Sequence, residues 1–138
     1  MNKKLLILLV LTTLFLAGSV HALNFTEVTK LMASDKQAND QFGYSASISS
    51  DYAIVGAYPN NAAYIFKLNL TGGFEEVDKL VSNDAQAYDR FGWSVAISGD
   101  YAIVGSYGQD TGGAMAGAAY LFKRNATTGN WTQAQKIQ

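Results

Sequence analysis

The sequence predicts an all-β fold made of repeated four-stranded antiparallel units, and three observations predict it. A long segment recurs almost unchanged 49 residues further on. Within each copy, apolar residues alternate with a period of two, the pattern of a strand with one face buried. The composition, 13 glycines, 1 proline and 12% aromatic residues in 138, suits strands joined by tight turns better than helices. No segment carries a helical period.

The repeat is read directly. Lys30 to Tyr58 is KLMASDKQANDQFGYSASISSDYAIVGAY, and Lys79 to Tyr107 is KLVSNDAQAYDRFGWSVAISGDYAIVGSY, with 18 of 29 positions identical and no gap. The first strand of each copy is expected at Phe42 to Ser49 and Phe91 to Ser98. Ser50-Asp51 and Gly99-Asp100 form the two-residue turns that follow. The second strand, Tyr52 to Gly56 and Tyr101 to Gly105, reads YAIVG in both copies. It is apolar throughout and is expected to be buried on both faces. The third is Ala63 to Leu68 and Ala119 to Arg124, after a linker that is seven residues longer in the second copy. Turns rich in Asn, Thr and Gly lead to a fourth strand, Phe74 to Leu80 and Trp131 to Ile137, with the mixed polarity of a sheet edge. A related stretch at Phe25 to Leu31 is expected as a further outer strand.

A sheet with apolar side chains on both faces cannot bury them alone, so such units must stack. Four-stranded antiparallel units repeated at about 50 residues are β-propeller blades. The expected layout is blade one over 42–80 and blade two over 91–137. Two blades do not close a ring, so the expectation is an incomplete propeller or a piece of a longer repeat protein. Association of several copies, or an open two-blade stack, are the alternatives.

These residues resemble the FG-GAP repeat proteins, whose propeller repeat also occurs in integrin α-subunit heads. Phe42-Gly43 and Phe91-Gly92 match the FG element. Val55-Gly56-Ala57-Tyr58 and Val104-Gly105-Ser106-Tyr107 stand at the GAP element, with Tyr in place of its proline. The resemblance implies a protein-recognition or adhesion module of the cell exterior. It also implies calcium, held in integrin-type propellers by a short acidic loop between the first two strands. Here that turn holds one carboxylate, Asp51 or Asp100, whereas calcium takes six to eight oxygens. No metal and no cofactor is expected.

The amino terminus reads as a secretory leader over 1–22. Lys3 and Lys4 precede an apolar run from Leu5 to Ala17, and Val20 and Ala22 suit the −3 and −1 positions of a cleavage site. The run is short for a membrane span, which takes about 20 residues. Removal of the leader leaves 23–138 with 8 basic and 11 acidic groups, a net charge of −3. A secreted or surface location is expected, with no membrane span in the processed chain.

Several functions are excluded by composition. There is no cysteine, and the only histidine, His21, lies in the leader. Thiolate chemistry and histidine-based catalysis are therefore not expected. Neither a carboxylate pair for glycoside hydrolysis nor a nucleophile with its base can be placed, so the chain is read as no enzyme. The acidic balance argues against nucleic-acid partners. Asp35, Asp40, Asp84 and Asp89 recur in the lead-in to each first strand and are expected to hold turn backbone. Phe42, Tyr44, Tyr64, Phe66, Phe91, Trp93, Tyr120 and Phe122 are expected in the core, with Tyr58, Tyr107 and Trp131 more exposed. Asn24, Asn69, Asn125 and Asn130 open N-x-T sequons for N-glycosylation. The longer linker, Gly108 to Ala118, is the candidate contact loop for a protein ligand, with Gln109, Asp110, Thr111 and Met115 as contacting residues. A carbohydrate-binding role through Tyr107 or Trp131, or a purely structural role in a larger surface protein, are the alternatives.

Overall fold

The computed structural model describes residues 27–138. The leader, Asn24 and the start of the expected outer strand lie outside the described residues. Eight strands form two separate four-stranded antiparallel sheets. The first contains β1 (Ser45–Ser49), β2 (Tyr52–Ala57), β3 (Ala62–Leu68) and β4 (Phe74–Leu80), in that order. The second repeats it with β5 (Phe91–Ser98), β6 (Tyr101–Ser106), β7 (Ala118–Arg124) and β8 (Trp131–Ile137). A single 3-10 turn, Tyr58–Asn60, links β2 to β3. The described chain is thus nearly all β, as two propeller blades that do not close.

The register repeats as faithfully as the sequence. Val55 faces Tyr64 in the first sheet as Val104 faces Tyr120 in the second. The irregularity that follows Ile65 in the β3–β4 ladder recurs after Leu121 in the β7–β8 ladder. Repeat-equivalent residues can therefore be compared position by position.

The sheets stack, with β5 lying against β1 and β2. One core fills the junction: Ile54, Ala63 and Ile65 of the first sheet meet Phe91, Ile97, Val104, Tyr120 and Phe122 of the second. The opposite face of the first sheet holds Ala53, Val55, Tyr64 and Phe66, partly roofed by its lead-in residues Leu31, Ala33 and Phe42. Backbones touch at the junction. A Cβ on Gly56 would run into the Gly92 carbonyl oxygen, and one on Gly92 into that of Ala62. Polar groups cross it as well. The Ile97 and Gly99 amides donate to Ser47 and Ser49 Oγ at 3.3 and 3.4 Å. Asn61 both donates to the Gln86 carbonyl and accepts from the Phe91 amide.

At the level of strands and their packing, four expectations need correction. Residues 27–31 carry no strand, because a strand exists only in a ladder and no described segment pairs with them. The first strand of the first copy begins at Ser45 rather than Phe42. Burial of the second strand on both faces holds for β2 but not for β6, where Tyr101 and Ile103 are exposed. Burial on both sides needs a neighbour on each side, and the second sheet has only one among the described residues. Trp131 is buried, with its ring edge-on to Tyr52 at 5.9 Å across the junction.

Candidate functional site

The two ends of the sheets differ. One carries the β1–β2 and β3–β4 turns and their counterparts. The other carries the starts of β1 and β5, the ends of β2 and β6, and every long connection between the described strands. Loops on a rigid strand support are where binding is usually placed, so the second end is the candidate.

An aromatic cluster occupies it. Tyr44 and Trp93 lie 4.5 Å apart between ring centroids, and Tyr58 lies 4.6 Å from Tyr44 and 4.8 Å from Trp93. Tyr107 extends the row, 4.7 Å from Trp93. The Arg90 guanidinium sits over Tyr58 at 5.5 Å and over Tyr88 at 5.7 Å, within cation–π reach of both. Tyr44, Tyr88 and Tyr107 are exposed, while Tyr58 and Trp93 are half-buried. The row runs across both sheets, so it exists only when they are stacked.

The strand pattern placed Tyr44 and Trp93 in the core, and the structure places them in this row. Gly43 and Gly92 adopt φ +94° and +93°, and the ladder of the second sheet jumps from Phe91 to Ser94. The residue after each glycine leaves the regular pleat at that jump and stands at the end of the sheet. Phe91 stays in the core, edge-on to Tyr120 and Phe122, and Phe42 does the same against Tyr64 and Phe66. Tyr88 and Arg90 were not singled out from sequence. Their positions differ from the first copy, where Asn39 and Gln41 stand, and that difference was the available sign.

The longer linker starts beside this row. Its first turn is closed by Gly108 N–H donating to the Asp89 carbonyl at 3.0 Å, and its base by Gly117 N–H to the Gln109 carbonyl at 2.8 Å. Gln109 is fully buried. Its side chain bonds to Thr111 and accepts from Gln138 Nε2 at 2.9 Å, which ties the loop to the residue that follows β8. Gln109 therefore leaves the set of contacting residues and becomes the loop's support. Asp110, Thr111 and Met115 are exposed.

The recurring lead-in aspartates do two different things. Asp40 and Asp89 accept from the Gln37 and Gln86 amides at 2.6 and 2.8 Å, the turn role expected of them. Asp35 and Asp84 instead reach the blade. Asp35 accepts from the Tyr64 hydroxyl at 2.8 Å and from Lys79 at 2.5 Å. Asp84 accepts from Tyr120 at 2.9 Å and from Lys136 at 2.6 Å. The lysine first, then the tyrosine hydroxyl, lowers the Asp35 carboxyl below its ordinary value. Asp84 is lowered in the same direction, chiefly by Lys136. Burial raises both tyrosines, and the hydrogen bond to the carboxylate adds to it. Each lead-in is thus fastened to the third and fourth strands of its own sheet.

At the other end, Asn69 and Asn125 fold their side chains into the β3–β4 and β7–β8 turns. Asn69 Oδ1 accepts from the Thr71 amide and hydroxyl and from the Gly73 amide, and Asn125 Oδ1 from the Thr127 and Thr128 amides. Asn130 is exposed beside them. The donor set for calcium does not fit this end. Each β1–β2-type turn holds one carboxylate, and Asp100 is already paired with Arg124. Among the described residues, no group of three or more acidic or histidine side chains stands together. None of their helices is long and apolar enough to cross a membrane.

Comparison with known proteins gives one positive result. A family profile described as FG-GAP repeat matches residues 25–66 and 74–122. No curated protein matches the chain.

Proposed function

Since the chain belongs to the FG-GAP repeat family, we propose that it is a secreted or surface-exposed recognition module that binds another protein, in an adhesive role and without catalysis. The observation that carries this reading is the partly exposed row Tyr44, Tyr58, Trp93 and Tyr107 with Arg90 and Tyr88 beside it. Tyr, Trp and Arg are the side chains that most often dominate the energy of protein interfaces. They stand on strand ends and short turns, so little conformational entropy is lost when a partner orders them. Asp110, Thr111 and Met115 on the adjacent loop supply the variable part of the contact.

Secretion follows from the leader over 1–22, with the mature chain starting at Leu23. Glycans on Asn69, Asn125 and Asn130 would occupy the end opposite the aromatic row and leave it bare. The glycan-binding alternative loses Trp131, which is buried, and keeps only Tyr107.

The test is a screen of the purified protein against an array of secreted and cell-surface proteins, followed by substitution. Trp93→Ala is expected to weaken the selected partner about 30-fold, the size of a central hot-spot residue. Asn130→Gln, at the far end, is expected to change nothing. Equal binding by Trp93→Ala and the natural protein removes this surface as the binding site.

A further inference from the structure

Among the described residues, repeat equivalents of the internal junction stand exposed on the two outer faces. At the internal junction, Ile54 is fully buried under the second sheet. Its repeat equivalent Ile103, on the far face of that second sheet, is 38% exposed. Ile65 and Ala63 are buried in the same way, while their equivalents Leu121 and Ala119 are only half-buried. On the other partner, Ile97 is 7% exposed where it presses on the first sheet, and its equivalent Ile48 is 66% exposed. The second sheet thus offers the receiving face again, and the first sheet offers Ile48 beside its lead-in, over Ala53, Val55, Tyr64 and Phe66 that are already buried.

The match extends past the apolar residues. Ser94 and Ser98 stand where Ser45 and Ser49 make cross-junction hydrogen bonds to Gly92 and Gly99. Gly105 stands where Gly56 lets the Gly92 backbone approach, and Gly43 repeats Gly92 with the same left-handed φ. The shallow groove along the far face of the second sheet is lined by Ala96, Ser98, Tyr101, Ile103 and Leu121.

We infer that a second copy of this chain docks head to tail, its first sheet seated on the open face of the second sheet in the register of the internal junction. Ile48 of the incoming copy fills the place of Ile97, against Ile103 and Leu121. Phe74 replaces Trp131 over Tyr101. Two polar partners are absent from the receiving face. Ala96 stands for Ser47, and Gly117 for Asn61, so this junction is weaker than the internal one and reversible. The contact joins unlike surfaces. Repeated, it closes into a ring or extends as a filament.

Sedimentation velocity of the purified natural chain over a concentration series tests the inference. The mass is expected to rise through multiples of one chain. Ile103→Asp and Ile48→Asp, both at positions already exposed, are each expected to remain single chains, with unchanged far-ultraviolet circular dichroism. An equimolar mixture of the two is expected to give a one-to-one dimer and nothing larger, because only one intact pair of faces remains. A natural chain that stays single up to its solubility limit overturns the inference. So does an Ile48→Asp protein that associates like the natural one, since the faces would then be joined like to like.

Discussion

At the scale of single residues, the most informative contact is the one Asp35 and Asp84 each make with a tyrosine and a lysine of the sheet that follows. Asp35 and Asp84 have lowered pKa values in the folded chain. A carboxyl held below its unfolded value stabilises the fold above that value, about 4 for aspartate, and the stabilisation is lost as pH falls through the depressed value. Acid titration of thermal stability should therefore show a fall below about pH 4. The double variant Asp35→Asn, Asp84→Asn should start less stable at neutral pH and show a flatter acid limb. An unchanged limb would assign the acid sensitivity to other groups. Raised pKa values at Tyr64, Tyr120 and Lys79 act at the other extreme. Their stabilisation is complete below the unfolded values of about 10 and is lost as pH climbs through the folded ones. The glycines after the two repeated phenylalanines allow a controlled comparison. Gly43 and Gly92 share a φ near +94°, but a Cβ finds open space at Gly43 and meets the Ala62 carbonyl oxygen at Gly92. Gly43→Ala should cost about 1 kcal/mol, the left-handed strain alone. Gly92→Ala should cost roughly 3 kcal/mol, with the overpacking added. Urea unfolding of the two variants measures the difference.

At the scale of strands, the same side chain in two environments tests what neighbours contribute. Ile54→Ala empties a fully buried site and should cost about 2–5 kcal/mol. Ile103→Ala, at the equivalent position of β6, is partly solvated already and should cost less than half as much under dilute, single-chain conditions, again by urea unfolding. The order of strands, their turns and both sheets were legible in the sequence, because a period of two and a 49-residue echo are carried by side-chain type alone. The limits of that reading are equally physical. Residues 27–31 look like β4 and β8, yet a strand depends on a partner that local pattern does not reveal. The alternation through Phe42 and Tyr44 runs on in sequence, but the glycine between them takes a left-handed conformation that lifts the second aromatic out of the sheet. Trp131 lies on an outer strand, and it is buried by Tyr52 of the other sheet, a contact that no spacing within its own repeat encodes. Of the candidate site, the longer linker was visible as an insertion. The aromatic row was not, because its members come from two repeats and meet only when the sheets stack.

At the scale of the whole molecule, one core joins both sheets, so they should unfold together. Hydrogen exchange is the measurement. Ile54→Ala should lower protection of β6 and β7 amides as much as that of β2 and β3, although its own sheet is the first. Loss confined to the first sheet would mean two independent units. The junction also explains why the proposed binding surface and the fold are hard to separate. Tyr44 and Tyr58 come from one sheet and Trp93 and Tyr107 from the other, so a substitution that loosens the core scatters the row as well. The Asp–Tyr–Lys fastening has the opposite character. It joins each lead-in to the sheet it precedes and asks nothing of the sheet beyond, yet its lysine opens the next copy of the sequence repeat. Cutting such an array at a repeat boundary therefore removes the lysine that closes the last latch and frees the carboxylate before the cut.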